Sequence, residues 1–564
     1  MAFSSTPFKI LQRRESLLVF IGFLLVAIAI HHRLWLGEIP MGEDSRHHYL
    51  WIQNFAHQFS QGDLYPRWLA ETNHRYGSPT FVFYPPFTYF VTSILKVAGL
   101  PFETLLAVVF TGITLSAAYF GYLAKRRDWG ALPAIAIGVF FLFSQYQLVS
   151  LYSRGALAES VAMSLIPLGI WLTGTAIEFP RRRLGVALTA MVLAMTHLPS
   201  LLLLAIFWIP FIVVTQYRAP REMLLTLVAV FCGWGAASFY LLPAILEKGA
   251  TSVENLKAVA GGYSANLFWS SEAAPVARSM LGLWRNEARL FGACIVIGGV
   301  LCFLGARRRG AWGLLAAAFA AVTFAMSDLS RPIWSAIELL QNVQFPWRLM
   351  GLLGAIVALS TGFLLSATTN RIAQFVCLGL LCAFLLLTLR DTKRLISDAP
   401  TLEEPRWYLD REEFVTKLEQ TRTSVDRPLS GLRQDVPEYR PAKEDGSAYE
   451  PRPDAPPVTI DRGTVEIERW KVKTRTVITS SPDAAIVTFR VYDYPAWNLY
   501  IDGEAQPIER SPEGTISARV PAGDRRVELK YEWTGAMYLG AALSLASIAV
   551  AVVLFLVPNL SASF

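Results

Sequence analysis

The stretch from Leu17 to Leu36, LLVFIGFLLVAIAIHHRLWL, decides the fold. A run this apolar and this long crosses the roughly 30 Å hydrocarbon core of a bilayer as a single helix. It follows Lys9, Arg13 and Arg14 and ends in His31-His32-Arg33, with no small-residue cleavage site. A signal peptide has an apolar region of only about 7–15 residues, so the run reads as an uncleaved anchor.

Similar blocks recur outward from it. The chain has 564 residues, 53% of them hydrophobic, and its mean hydropathy is +0.38. These values exclude an ordinary soluble protein and point to a multi-span membrane protein. The net charge of +7 does not imply nucleic acid. Basic residues gather at Lys125-Arg126-Arg127, Arg181-Arg182-Arg183, Arg218 with Arg221, and Arg307-Arg308-Arg309. These are short loops between apolar blocks, where the positive-inside rule puts Lys and Arg on the cytoplasmic side. All five cysteines (Cys232, Cys294, Cys302, Cys377 and Cys382) lie in apolar blocks, which argues against a disulfide framework or a thiolate metal site.

With the basic loops as cytoplasmic markers, twelve spans are predicted, at 17–36, 102–124, 131–150, 157–177, 184–197, 199–217, 222–245, 289–305, 311–327, 347–367, 372–389 and 535–557, with both termini inside. Counting Thr80 to Ala98 as a further span would put most later basic clusters outside. Its aromatics and the Pro85-Pro86 pair suit a re-entrant or surface helix. The domains are then a transmembrane domain over 1–389, a charged, Pro-rich linker over 390–457, a sandwich over 458–533 and a terminal helix over 534–564. The linker holds a charged helical stretch, Glu412 to Gln420. From Val458 to Tyr531, short alternating apolar runs broken at Asp502-Gly503, Pro512-Glu513-Gly514 and Ala522-Gly523-Asp524 predict a small antiparallel β-sandwich.

The candidate chemistry lies on the outer side. Directly after the first span comes Gly42-Glu43-Asp44-Ser45-Arg46-His47-His48. Acidic residues and histidines at a membrane edge are costly unless they do something. Asp44 and His48, at i and i+4, share a helix face. Such a group suits a general base or a divalent ion, although Asp before an amphipathic run is also a common helix cap. Arg154, in Tyr152-Ser153-Arg154-Gly155-Ala156, either grips a phosphate or pairs structurally with Glu159. His197 marks a break between two helices, as a packing residue or as part of the site. Arg348, in Phe345-Pro346-Trp347-Arg348, is an interface anchor or a counter-charge for a phosphate leaving group. Arg67, Trp68, His74 and Arg75 belong to the same outer surface and are expected to meet a second substrate. The sequence contains no Gly-rich phosphate loop, nucleophile elbow or Walker signature.

With these residues in view, the chain resembles bacterial membrane glycosyltransferases of the GT-C class. It is similar in particular to the YfhO-like and "6-pyruvoyl-tetrahydropterin synthase-related" membrane proteins, a name that implies no pterin chemistry. The matching motifs are Gly42-Glu43-Asp44 with His48, Gly62-Asp63-Leu64-Tyr65-Pro66-Arg67-Trp68, and Gly77-Ser78-Pro79-Thr80-Phe81 leading to Phe83-Tyr84-Pro85-Pro86. They continue with Arg154-Gly155-Ala156 with Glu159, Phe345-Pro346-Trp347-Arg348, Tyr494-Pro495-Ala496-Trp497 and Ile501-Asp502-Gly503. The resemblance implies a polytopic GT-C-like fold in the bacterial inner membrane, with the sandwich in the periplasm. It also implies a polyprenyl-phosphate-linked sugar as donor, and an envelope glycan, lipid or protein as acceptor. Asp44, with Glu43 behind it, would be the base or the ligand of a divalent metal ion. In that picture His47, His48, Arg67, Trp68, His74, Arg154, Glu159, His197 and Arg348 bind substrate, and Trp497 and Tyr500 stack on sugar rings. A transporter or flippase would favour charges deep within several spans. A non-catalytic assembly protein would tolerate replacement of Asp44.

Overall fold

The computed structural model describes residues 6–253, 257, 261–303, 309–368, 371–402, 411–430 and 436–556. Arg307 and Arg308 of the fourth basic cluster lie outside them. Every apolar stretch expected to span is helical. The helices are Thr6–Ile30, Phe102–Trp129, Ala131–Leu142 with Gln145–Tyr152, Leu157–Thr175, Arg182–Ala194, Leu198–Gln216, Pro220–Ala236 with Ser238–Leu246, Pro275–Phe303, Arg309–Met326, Met350–Ala367, Arg371–Ser397 and Gly535–Leu556.

Among the described residues, 7 helices are long and apolar enough to cross a membrane, or 8 if Pro220–Ala236 and Ser238–Leu246, bent by 65°, count as one span. Arg182–Ala194 has only 13 residues, about 20 Å of helix, and Pro275–Phe303 carries Arg278, Arg285, Glu287 and Arg289 in its first half. Phe87–Val97, in the stretch read as non-spanning, has 11 residues, about 16 Å, and cannot cross a bilayer.

The C-terminal strands are β1 (Val458–Ile460), β2 (Thr464–Lys471), β3 (Thr474–Ser481), β4 (Ala485–Tyr492), β5 (Trp497–Ile501), β6 (Glu504–Gln506), β7 (Glu509–Arg510), β8 (Thr515–Val520) and β9 (Gly523–Tyr531). They form two antiparallel sheets, β1-β4-β8-β7 and β2-β3-β9-β5-β6. Asp502 and Gly503, both at positive φ (53° and 87°), close the β5–β6 hairpin, as Asp-Gly turns do. Phe489, Val487, Val477, Val527 and Leu529 are fully buried in the core.

The described parts of the linker are packed. The helix Ser45–Ser60 meets its backbone with polar side chains: Gln53 donates to Arg427 O at 2.7 Å, Asn54 to Leu429 O at 3.1 Å, and Asn54 accepts from Leu429 N at 2.8 Å. Lys96 donates to Thr421 O and Arg422 O at 2.9 and 2.7 Å. Upstream of the acidic turn, residues 39–41 pair with 400–402 through Met41 N to Pro400 O at 2.7 Å and Leu402 N to Ile39 O at 2.8 Å. The outer segment, the linker and the sandwich thus share one core.

Candidate functional site

Backbone hydrogen bonds set the acidic turn against the Ser153–Gly155 loop. Glu43 N donates to Ser153 O at 3.1 Å and Asp44 N to Arg154 O at 2.7 Å. Asp44 then caps the helix Ser45–Ser60 in position, but its carboxylate makes no capping hydrogen bond. Glu43 and Asp44 are both exposed. Surrounding protein still removes enough water from Glu43 to raise its carboxyl above the usual range, with Arg154 opposing the rise and Asp44 adding to it.

Beneath the turn lies a buried charge network. Glu159 is 1% exposed, Arg154 4% and Arg348 7%, so the charges meet each other and not bulk water. Arg154 approaches Glu159 at 3.1 Å and Ser150 Oγ at 3.3 Å, with its guanidinium 4.6 Å from the Trp347 ring centroid. Arg348 Nε donates to the same carboxylate at 3.0 Å, and its Nη1 donates to Val343 O at 2.5 Å. The Tyr146 hydroxyl also donates to Glu159, and Trp347 Nε1 donates to Asn266 Oδ1 at 3.1 Å. Two guanidinium groups therefore share one buried carboxylate in a low-dielectric setting, with the Asp44 charge also reaching Arg154.

His48 lies alongside. Its Nδ1 is 2.6 Å from the Tyr89 hydroxyl, and its ring stacks on Tyr89 and meets Trp51 and Tyr84 edge-on. Burial pulls its pKa down to about 4; the Asp44 charge opposes this, while His47 and Arg154 add to it. His48 is therefore a neutral imidazole at pH 7. His47 is half-buried against Trp51. His197 Nδ1 accepts from Ser200 N at 3.3 Å and meets Ser200 Oγ at 2.7 Å, capping Leu198–Gln216. It also lies within the fields of Arg348, Glu159, Arg154 and His48.

Glu43, Asp44, His48, Arg154, Glu159, His197 and Arg348 are thus brought together from distant parts of the chain. Arg67, Trp68 and His74 lie apart from that cluster. Trp68 is 1% exposed, with Trp497, Tyr494 and Tyr531 rings 5.5, 6.2 and 6.0 Å away. Arg67 is buried over Tyr65 and Trp533 and donates to Phe239 O at 3.3 Å. His74 sits in a left-handed turn that Arg440 holds through Asn73 Oδ1 at 3.0 Å. Trp497 is 2% exposed and has no free face for a sugar. Trp68 thus packs on the sandwich and Arg67 on Trp533 just after it, whereas the turn at Asn73 and His74 is tied to the linker.

Tyr84, Tyr89, Tyr146 and Trp347 belong to the site but escape single-residue reading of the sequence. Tyr84 is half-buried and shares the fields of Asp44, Arg348 and Glu159; the Tyr84-Pro85-Pro86 run is the signal that marks it. Among the described residues, no group of three His, Cys, Asp or Glu side chains is placed to hold a metal ion. Tyr89 takes His48 Nδ1, which leaves only Nε2 of that ring for a metal ion.

A bundle of apolar helices with a charge cluster at one end and a β-domain docked beside it defines a multi-pass membrane protein. Residues 81–394 match the family model described as "6-pyruvoyl-tetrahydropterin synthase related domain; membrane protein", and the chain belongs to that family. The matched region holds Arg154, Glu159, His197 and Arg348, whereas Glu43, Asp44 and the sandwich lie outside it. Comparison with curated proteins gives no match.

Proposed function

We propose that this chain is a membrane glycosyltransferase. It moves one sugar from a polyprenyl-phosphate donor to an envelope glycan, lipid or protein at the outer face of the bacterial cytoplasmic membrane. In this reading all twelve apolar helices cross the membrane in a GT-C-like arrangement, both termini are cytoplasmic and the sandwich is periplasmic. The observation that carries the proposal is an exposed Asp44 carboxylate, without a capping hydrogen bond, beside two buried guanidinium groups that share one counter-charge.

Asp44 takes the proton from an acceptor hydroxyl as that oxygen attacks the anomeric carbon. The bond from the anomeric carbon to the lipid phosphate breaks in the same step, with inversion, and the polyprenyl phosphate leaves as an anion. Arg154 and Arg348 stabilise that departing charge through their field, since burial keeps them from bulk water. Glu43 enters as the neighbouring carboxylate that tunes Asp44.

The test is to express Asp44→Asn and Asp44→Ala in the native host at normal membrane levels and profile envelope glycans and lipid-linked sugars by mass spectrometry. The expected result is loss of one glycan modification with accumulation of its lipid-linked donor. Unchanged profiles in both variants, beside a clear defect in the deletion strain, would remove Asp44 as the base. Transport or non-catalytic assembly of an envelope polysaccharide would then be the better reading.

A further inference from the structure

The helix Pro275–Phe303 carries three arginines along one side. At about 100° per residue, Arg278, Arg285 and Arg289 fall within about 20° of a single line down the helix, and all three are exposed. Arg278 Nε donates to Ala273 O at 3.1 Å and Arg289 Nη1 to Asn286 Oδ1 at 3.4 Å. Among the described residues, none of the three forms an ion pair. Glu287, the one acidic residue of the helix, lies on the opposite side. That side packs against the bundle: Met280, Leu290, Phe291 and Cys294 are buried, and the Phe291 ring stacks on Phe319 at 4.1 Å.

Further down the same line the character changes from cationic to apolar. Gly292, Val296 and Val300 continue it. Val296 is 67% and Val300 54% exposed, and a methyl added at Gly292 would meet nothing within 4 Å. The helix has 29 residues, about 43 Å of length, which matches a bilayer together with its headgroups. With the span expected from residue 289, the valines face hydrocarbon and the arginines lie at the headgroup end. Guanidinium groups at that depth are costly without an anion, and their long stems let them reach one at the interface.

We propose that this face binds an anionic phospholipid of the adjoining leaflet, the outer one in the topology proposed above. Arg285 and Arg289 are one turn apart, about 6 Å along the axis, so both reach one phosphate, whose geometry the guanidinium fork matches. The acyl chain lies along Gly292, Val296 and Val300. Arg278, about 10 Å further out, adds to the attraction on the headgroup. The site faces away from the bundle and is separate from the Asp44 site.

The test compares the full chain in nanodiscs of phosphatidylcholine alone and of phosphatidylcholine with phosphatidylglycerol. Thermal melting and native mass spectrometry of the released protein are the two readings. Phosphatidylglycerol should raise the wild-type Tm and be retained in preference to phosphatidylcholine. Arg285→Gln/Arg289→Gln, at exposed positions, should melt as wild type does in phosphatidylcholine and lose both responses. Arg390→Gln/Arg394→Gln, exposed arginines near the end of Arg371–Ser397, should keep them, and so should Asp44→Asn. No preference in the wild type, or equal loss in the two double variants, would overturn the proposal. A dimer that dissociates in Arg285→Gln/Arg289→Gln, with no lipid retained by wild type, would also overturn it and assign the face to a second copy of the chain.

Discussion

Gly42 and Gly155 lie backbone against backbone: a methyl group built on Gly42 falls 2.4 Å from Gly155 N. Its other close neighbours, Arg154 C at 2.7 Å and Ser153 O at 2.8 Å, are also backbone and cannot swing aside. Gly42→Ala should pry the acidic turn off its loop and break the bond from Asp44 N to Arg154 O. The expected loss is about 1–3 kcal/mol, read as a lower Tm in nanodiscs, together with the glycan phenotype of the Asp44 variants. An unchanged Tm would contradict the close approach.

Glu159 is the shared counter-charge for Arg154 and Arg348, so removing it strands two buried cations. Glu159→Ala should cost about 3–5 kcal/mol, in line with breaking a buried ion pair from one side. Replacing all three charges (Arg154→Met, Glu159→Leu and Arg348→Met) should recover most of that stability while abolishing the proposed glycan transfer. Chemical denaturation gives the first comparison and envelope profiling the second. A triple variant less stable than Glu159→Ala would mean that the network contributes more than charge balance.

How much of this was legible in the sequence depends on the range of each signal. The apolar blocks and the Asp502-Gly503 turn are local, and every expected span is helical. Charged residues beside apolar blocks are conspicuous because burial there is costly, so Glu43, Asp44, His48, Arg154, Glu159, His197 and Arg348 stand out. Arg67 and Trp68 look the same but lie apart from that cluster, and the rings around Trp68 come from the far end of the chain. Spacing does not distinguish an aromatic residue that meets a sugar from one that meets a sandwich. Nor does it reveal that Arg348 joins Arg154 on one carboxylate, or that Tyr146 completes the set.

His48 makes stability depend on pH in a defined direction. Its folded pKa is depressed from 6.5 to about 4 by burial, so its contribution is present above 6.5 and is lost as pH falls towards 4. A shift of that size corresponds to about 3 kcal/mol. Glu43, with a raised pKa, acts in the opposite sense and is common to both proteins in a comparison of wild type with His48→Gln. The wild-type Tm should fall more steeply than that of the variant between pH 6.5 and 4. Parallel curves would show that His48 charges freely in the folded protein.

The docking of the sandwich rests on Trp68 and Trp497, whose rings meet edge-to-face at 5.5 Å and 87°. Lys473 and Asp63 add an ion pair at 2.6 Å, and Tyr492 N donates to Tyr76 O at 3.0 Å. Trp68→Ala should cost about 3–5 kcal/mol, because a large buried ring leaves a cavity. Lys473→Ala should cost about 1 kcal/mol or less, since its ammonium is partly solvated. The two tryptophans touch, so Trp68→Ala and Trp497→Ala should be non-additive in a double-mutant cycle. Limited proteolysis gives an independent reading: if docking holds the linker in place, Trp68→Ala should expose cleavage sites between 436 and 457 that the wild type protects. Additive energies and an unchanged cleavage pattern would mean that the sandwich is held elsewhere, and that the motif around Arg67 and Trp68 acts through something other than docking.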